Sequence, residues 1–164
     1  MALFGKRRDI GLFNSIAKEF VNKIADEQVG YYKINLSTTP KNIYGESTSK
    51  FYNPPVLLKC LVSRSDQKTT SENNLVPDVN RAISYAFLRT ALEESQIVPE
   101  VGDIIYWNGD YYEVDAVVEN QLIVGKDPDF SLSESQQDFG SSFSLVCYTH
   151  YTRVDKLNIV KSRL

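Results

Sequence analysis

Residues 102–115 read GDIIYWNGDYYEVD. Tyr106, Trp107, Tyr111 and Tyr112 crowd around a single Asn-Gly pair, and the role of that pair decides the fold. Asn108-Gly109 is a strong short-range hairpin signal. Both central positions of a type I′ turn need φ above zero, which Asn tolerates and Gly adopts freely. GDIIYW and DYYEV then form two strands, the first starting after the break at Pro99. Side chains alternate across a strand. Ile104 and Tyr106 therefore share one face, opposite Ile105 and Trp107, and Tyr112 and Val114 share one, opposite Tyr111 and Glu113. Tyr106, Tyr112 and Val114 read as cross-strand packing inside a small β scaffold. For Trp107 and Tyr111, which flank the turn, the same packing competes with a role as interface anchors, a use in which both residue types are enriched.

The neighbouring segments extend the same pattern. VGYYKINL (29–36) is rich in β-branched and aromatic residues and predicts a strand, and VLLKCLVS (56–63) predicts a continuous apolar strand. Between them, Pro40, Gly45, Pro54 and Pro55 predict loops or a short edge strand. NRAISYAFLRTALEES (80–95) predicts a strand to about residue 88 running into a short helix over 89–95; one helix over the whole stretch competes. QLIVG (121–125) and SFSLVCYTHYTRV (142–154) predict further strands, and KLNIVKSRL (156–164) a last strand or tail. SDQKTTSENN (65–74) contains no apolar residue and predicts a solvent loop or long hairpin tip. KDPDFSLSESQQDFGS (126–141) predicts a second long polar loop.

One convincing helix spans residues 9–27. Ile10, Phe13, Ile16, Ala17, Phe20, Val21 and Ile24 recur at steps of three and four, giving one apolar stripe. Asp9 is the expected N-cap. Phe13 and Phe20 are bulky for a surface helix, so the stripe lies against the body or a neighbouring subunit. The expected fold class is mainly β, a small β-barrel or sandwich with an N-terminal amphipathic helix and long loops. Residues 1–164 form a single domain, with a basic arm at 1–8, the helix at 9–27, a β body at 29–154 and a terminal strand or tail at 155–164.

The chain has 164 residues, enough for one domain to bury most of its surface without a disulfide or metal. No apolar run reaches the ~18 residues of a membrane span. MALFGKRRDIG has charge but no apolar stretch behind it, so no secretory leader is expected. Net charge is −3, from 18 basic and 21 acidic side chains, which argues against a surface built to coat nucleic acid. The positive charge gathers at the ends, as Lys6, Arg7 and Arg8, then Lys156, Lys161 and Arg163. Cys60 and Cys147 sit in apolar runs and read as reduced core thiols.

No phosphate-binding glycine loop and no nucleophile elbow occurs. His150 is the single histidine and reads as a hydrogen-bonded structural residue. With two scattered cysteines, it makes a zinc site improbable. Asp127 and Asp129 lack the Gly and distal Glu of a calcium loop and read as a turn around Pro128. The expectation is no enzyme, no cofactor and no metal.

Two segments carry a resemblance. The first is KNIYGESTSKFY, with Gly45, Glu46, Lys50 and Phe51. The second is EVGDIIYWNGDYYEVDAVVENQ, with Gly102, Asp103, Ile104, Ile105, Tyr106, Trp107, Tyr112, Glu113, Val114 and Glu119. In this order they resemble the neck (head-completion) proteins of tailed phages with contractile tails, of the T-even type. The resemblance implies a structural virion protein of the head-to-tail connector, a homo-oligomeric ring, expected to be a hexamer. That ring would join portal and adaptor proteins to the tail terminator or tail tube, and retain packaged DNA passing through its channel. It would act in the virion neck after assembly in the host cytoplasm, with no membrane partner. The expected interface residues are Phe4, Lys6, Arg7, Arg8, Phe13, Phe20, Trp107, Tyr111, Lys161 and Arg163, with loops 65–74 and 128–141 free to order on neighbours. Two other readings compete: a tail terminator or tail-completion ring, and an OB-like nucleic-acid-binding barrel whose Trp107, Tyr111 and Tyr112 stack on bases.

Overall fold

The structure, a computed structural model, describes residues 7–40, 47, 49–64, 68–70, 78–80, 82–119, 144–154 and 157–159. Asn108 and Gly109 take φ of 50° and 90°, and Trp107 pairs with Asp110, so the Asn-Gly pair does make a two-residue hairpin. Its strands are β7 (Ile104–Trp107) and β8 (Asp110–Val118).

The hairpin lies in the middle of a seven-stranded antiparallel sheet. The other strands are β1 (Gln28–Tyr32), β2 (Val56–Lys59), β3 (Leu61–Arg64), β6 (Ala82–Leu88) and β9 (Ser144–Thr152). Their order across the sheet is β2-β1-β7-β8-β9-β6-β3. The two outermost strands are therefore consecutive in the chain, separated by Cys60 alone. Six antiparallel steps restore the original direction, which one run shared between both edges requires. The sheet is rolled up, its edges joined by the chain at Cys60 and not by a ladder, so it is sandwich-like and not a closed barrel. The predicted continuous strand over 56–63 is thus two strands with different partners: Leu58 faces Val29 in β1, and Leu61 faces Ala86 in β6. The Cys60 N–H donates to the Glu27 carbonyl at 3.1 Å, extending the first ladder to the bend.

Alternation places Val29 and Tyr31, Leu58 and Cys60, Ile83, Tyr85 and Phe87, Ile105, Tyr112 and Val114, and Leu145 and Cys147 in one interior core. Burial of this apolar area is the main stabilising term. A second, smaller cluster lies on the opposite face: Tyr32, Ile104, Tyr111 and Leu157, with Tyr52, Tyr106 and Ile159 against it. Tyr106 and Tyr112 therefore serve different cores, since the register pairs Tyr106 with Tyr111 and Ile105 with Tyr112. Residues 51 and 158 form a parallel bridge that brings the 157–159 segment onto this outer face.

The strand-to-helix change falls at residue 88, where β6 gives way to α2 (Arg89–Glu94). β4 (Lys68–Thr70) and β5 (Asp78–Asn80) pair antiparallel beyond the β3–β6 ladder, as a long hairpin requires. The expected strand at 121–125 and the loop at 126–141 lie outside the described residues. The first helix, α1, covers Arg7–Glu19 and continues as a π-helical turn over Phe20–Ala25. Asp9 is therefore inside the helix and does not cap it. Asp26 closes the turn in the left-handed region, φ 45°, its N–H donating to the Val21 carbonyl at 3.1 Å.

Candidate assembly surface

The two segments that carry the resemblance meet in space. Lys50 forms an ion pair with Glu113 of β8, bridging the stretch before Phe51 to the Tyr-Glu-Val strand. Asp103 anchors the second segment and is fully buried. It accepts from Tyr31 Oη at 2.5 Å, from the N–H groups of Ile34 and Glu100 at 2.9 Å each, and from Lys33 Nζ at 3.2 Å. A buried carboxylate is tolerated only when its lone pairs are so occupied. Gly102 before it has φ of 92°, a conformation that favours glycine. Burial, and next the neighbouring Asp103 charge, push the Tyr31 phenol well above its usual range. The GD pair thus locks β1, β7 and the 98–101 turn together. Gly45 and Glu46 lie outside the described residues.

Trp107 is half-buried at the end of the interior. Its Nε1–H donates to Glu27, its ring meets Tyr85 edge-on at 6.3 Å, and the Arg64 guanidinium lies 4.7 Å from its centroid. Tyr111 belongs to the outer cluster, against Tyr106 at 4.9 Å and Tyr32 at 6.2 Å. Tyr111 and Tyr112 are 6% and 4% exposed, so neither offers a face for a base to stack on. The OB-like alternative loses its platform on this ground.

His150 Nδ1 lies 2.7 Å from an Asp115 carboxylate oxygen, and Asp115 is the extra residue where the β8–β9 register shifts. Among the described residues no group of three His, Cys, Asp or Glu side chains is arranged to hold a metal. Burial pushes the Cys60 and Cys147 thiols up to about 12, and neither is in a disulfide.

Among the described residues, a row of uncovered apolar side chains lies on α1 and its π turn. Phe13 and Phe20 are 47% and 45% exposed, while Val21 is fully buried against the body. Leu12, Ile16 and Ile24 stand open beside them. Between the helix and the sheet runs a groove of ≈ 490 Å³ lined by Phe13, Ile16, Phe20, Leu61, Phe87 and Leu88 among others. Arg7 and Arg8 begin the helix, whereas Phe4, Lys6, Lys161 and Arg163 lie outside the described residues. The sheet wall of the groove, Leu61, Phe87 and Leu88, was not expected at an interface. Three- and four-residue spacing marks a stripe on a helix but carries no record of the strand beside it.

No family model and no curated protein matches this chain. Among solved structures, a chain of the virion of a native gene transfer agent particle is similar, with a TM-score of 0.48 at 8% identity. That match covers 76% of this chain and 93% of the other. A likeness of this size assigns no role.

Proposed function

We propose that this chain is a structural subunit of a phage head-to-tail neck, joining portal and adaptor proteins to the tail as a ring of identical copies. The observation that carries this reading is the Lys50–Glu113 ion pair, which makes one three-dimensional unit of the two segments that resemble neck proteins. Their residues hold the scaffold together: Asp103 ties three segments, and the Asn-Gly turn sets the central hairpin. The open apolar face of α1 fits a protein that works by docking. A closed ring needs two unlike faces on each subunit. With a net charge of −3, the body would let DNA pass without gripping it.

The test is deletion of this gene from the phage that encodes it, with particles viewed by electron microscopy. Filled or leaking heads and separate finished tails are expected. Normally joined particles would refute the proposal. Heads bearing tails of uncontrolled length would point instead to a tail terminator.

A further inference from the structure

We infer that the free edge of β3 is a docking site for an extended acidic segment of a different protein, added to the sheet as one more strand. The inference is independent of the neck reading. The run 56–64 is the seam of the rolled sheet, so β2 pairs with β1 through one edge and β3 pairs with β6 through the opposite one. Each half is left with one unpaired edge, a row of backbone N–H and C=O groups that natural sheets normally cover. α2 lies against both β2 and β6 and covers the gap on that side. Among the described residues no strand pairs with β3 on its open side. A cleft of ≈ 430 Å³ runs there instead. Cys60, Leu61, Val62 and Arg64 form one bank, and Glu27 and Trp107 stand on the other. Side chains alternate across a strand, so a cleft that touches residues 60, 61 and 62 in succession follows the strand's edge.

The groups around the cleft select its guest. Arg64 is exposed, lies over the Trp107 ring, and makes no ion pair or hydrogen bond among the described residues. Tyr85, opposite Val62 in the β3–β6 ladder, meets the same ring edge-on. It is wholly buried, and its hydroxyl has no hydrogen-bond partner among the described residues. Burial drives the pKa of that hydroxyl up and the Arg64 charge pulls it back, which sets the two groups close together. A carboxylate lodged between them accepts from both, and so satisfies a buried donor whose isolation is costly. Nucleic acid fits less well, because the lining sets its one cation, Arg64, against the Glu27 carboxylate on the facing bank. A folded copy of this chain fits no better. Its own β3 edge is recessed in the same cleft, and its other described strands are held in ladders. The guest is therefore a loose extended segment that pairs its backbone with β3, sets an acidic side chain beside Arg64 and an apolar one against Trp107.

Trp107 is the only tryptophan, so its fluorescence reports on the cleft directly. The full chain is titrated with blocked synthetic peptides: Thr-Val-Glu-Val-Thr, the same peptide with Gln for Glu, and the Glu peptide N-methylated along its backbone. The Glu peptide is expected to give a saturable change, with binding about tenfold weaker for the Gln peptide and lost for the N-methylated one. In Arg64→Gln the Glu and Gln peptides should bind alike. The comparison between peptides leaves the protein untouched, so it decides the matter even if Arg64→Gln misfolds. Equal binding of the Glu and Gln peptides by the unaltered chain would overturn the inference. So would undiminished binding of the N-methylated peptide, or no saturable change at roughly millimolar peptide. Slow hydrogen exchange at every β3 amide of the free chain would overturn it as well, by showing the edge already covered by the chain itself. None of these results touches the neck reading, whose test is where tails and heads part.

Discussion

At the residue scale, Asp103 shows how one side chain can be indispensable without any chemistry to perform. Its carboxylate holds a phenol, two backbone N–H groups and a lysine from β1 and the turn before β7. Removing it leaves those donors buried without an acceptor, and the penalty exceeds the worth of any one bond. Asp103→Ala should lower unfolding stability by roughly 3–5 kcal/mol, as loss of one partner from a buried charged network does. Urea denaturation followed by tryptophan fluorescence checks this, since Trp107 reports on the same hairpin. A loss under ~1 kcal/mol would mean that water reaches the site. The sequence presents Asp103 as the start of a strand and as one residue of a resembling segment, with no sign of its burial. Its partners at Tyr31, Lys33 and Ile34 are some seventy positions away, and no local pattern announces them.

At the scale of elements, the hairpin and the first helix differ in what holds them. The hairpin depends on its turn: Gly109 has φ of 90°, and a Cβ added there meets nothing within 4 Å. Gly109→Val therefore costs backbone strain alone, about 1–2 kcal/mol. Its Tm should drop by a few degrees, measured by differential scanning calorimetry. An unchanged Tm would show that the turn can relax. The helix, by contrast, is tied to the body chiefly near its end, where Val21 is buried. Lys59 reaches its far end, donating to the Asn22 carbonyl at 3.0 Å and pairing with Asp26 at 2.6 Å. The apolar stripe was legible as periodicity, and its exposure was not. Periodicity identifies which side of a helix wants cover and is silent on whether cover comes from the same chain. The π turn was equally hidden, because nothing in the local spacing of apolar residues marks a change of helical pitch.

At the scale of the whole molecule, the core is sealed around groups that must stay neutral. Cys60 and Cys147 are wholly buried, Tyr85 is beside them, and burial raises the pKa of all three. The folded thiols stay protonated up to about 12 against the usual 9.0, so the native state binds more protons than the unfolded chain in between. Stability is then fully present below pH 9 and falls as pH rises toward 12, by on the order of 1 kcal/mol per pH unit or more. Unfolding midpoints in urea from pH 8 to 11 check the slope. A flat profile would mean that one or both thiols titrate in the native protein.

What the sequence determines by itself is local. The Asn-Gly turn, the alternation in β7 and β8, the break at residue 88 and the helical stripe each follow from neighbours within a few positions, where backbone sterics and side-chain period decide. The tertiary structure alone decides what joins distant segments. It splits one apolar run at Cys60 so that a single stretch forms both sheet edges. It sends Tyr106 and Tyr112 to different cores and buries Tyr111. It also leaves the face of α1 open beside Phe87 and Leu88. These outcomes depend on which surfaces are left over once the sheet has rolled up, a global packing condition that no window of sequence contains.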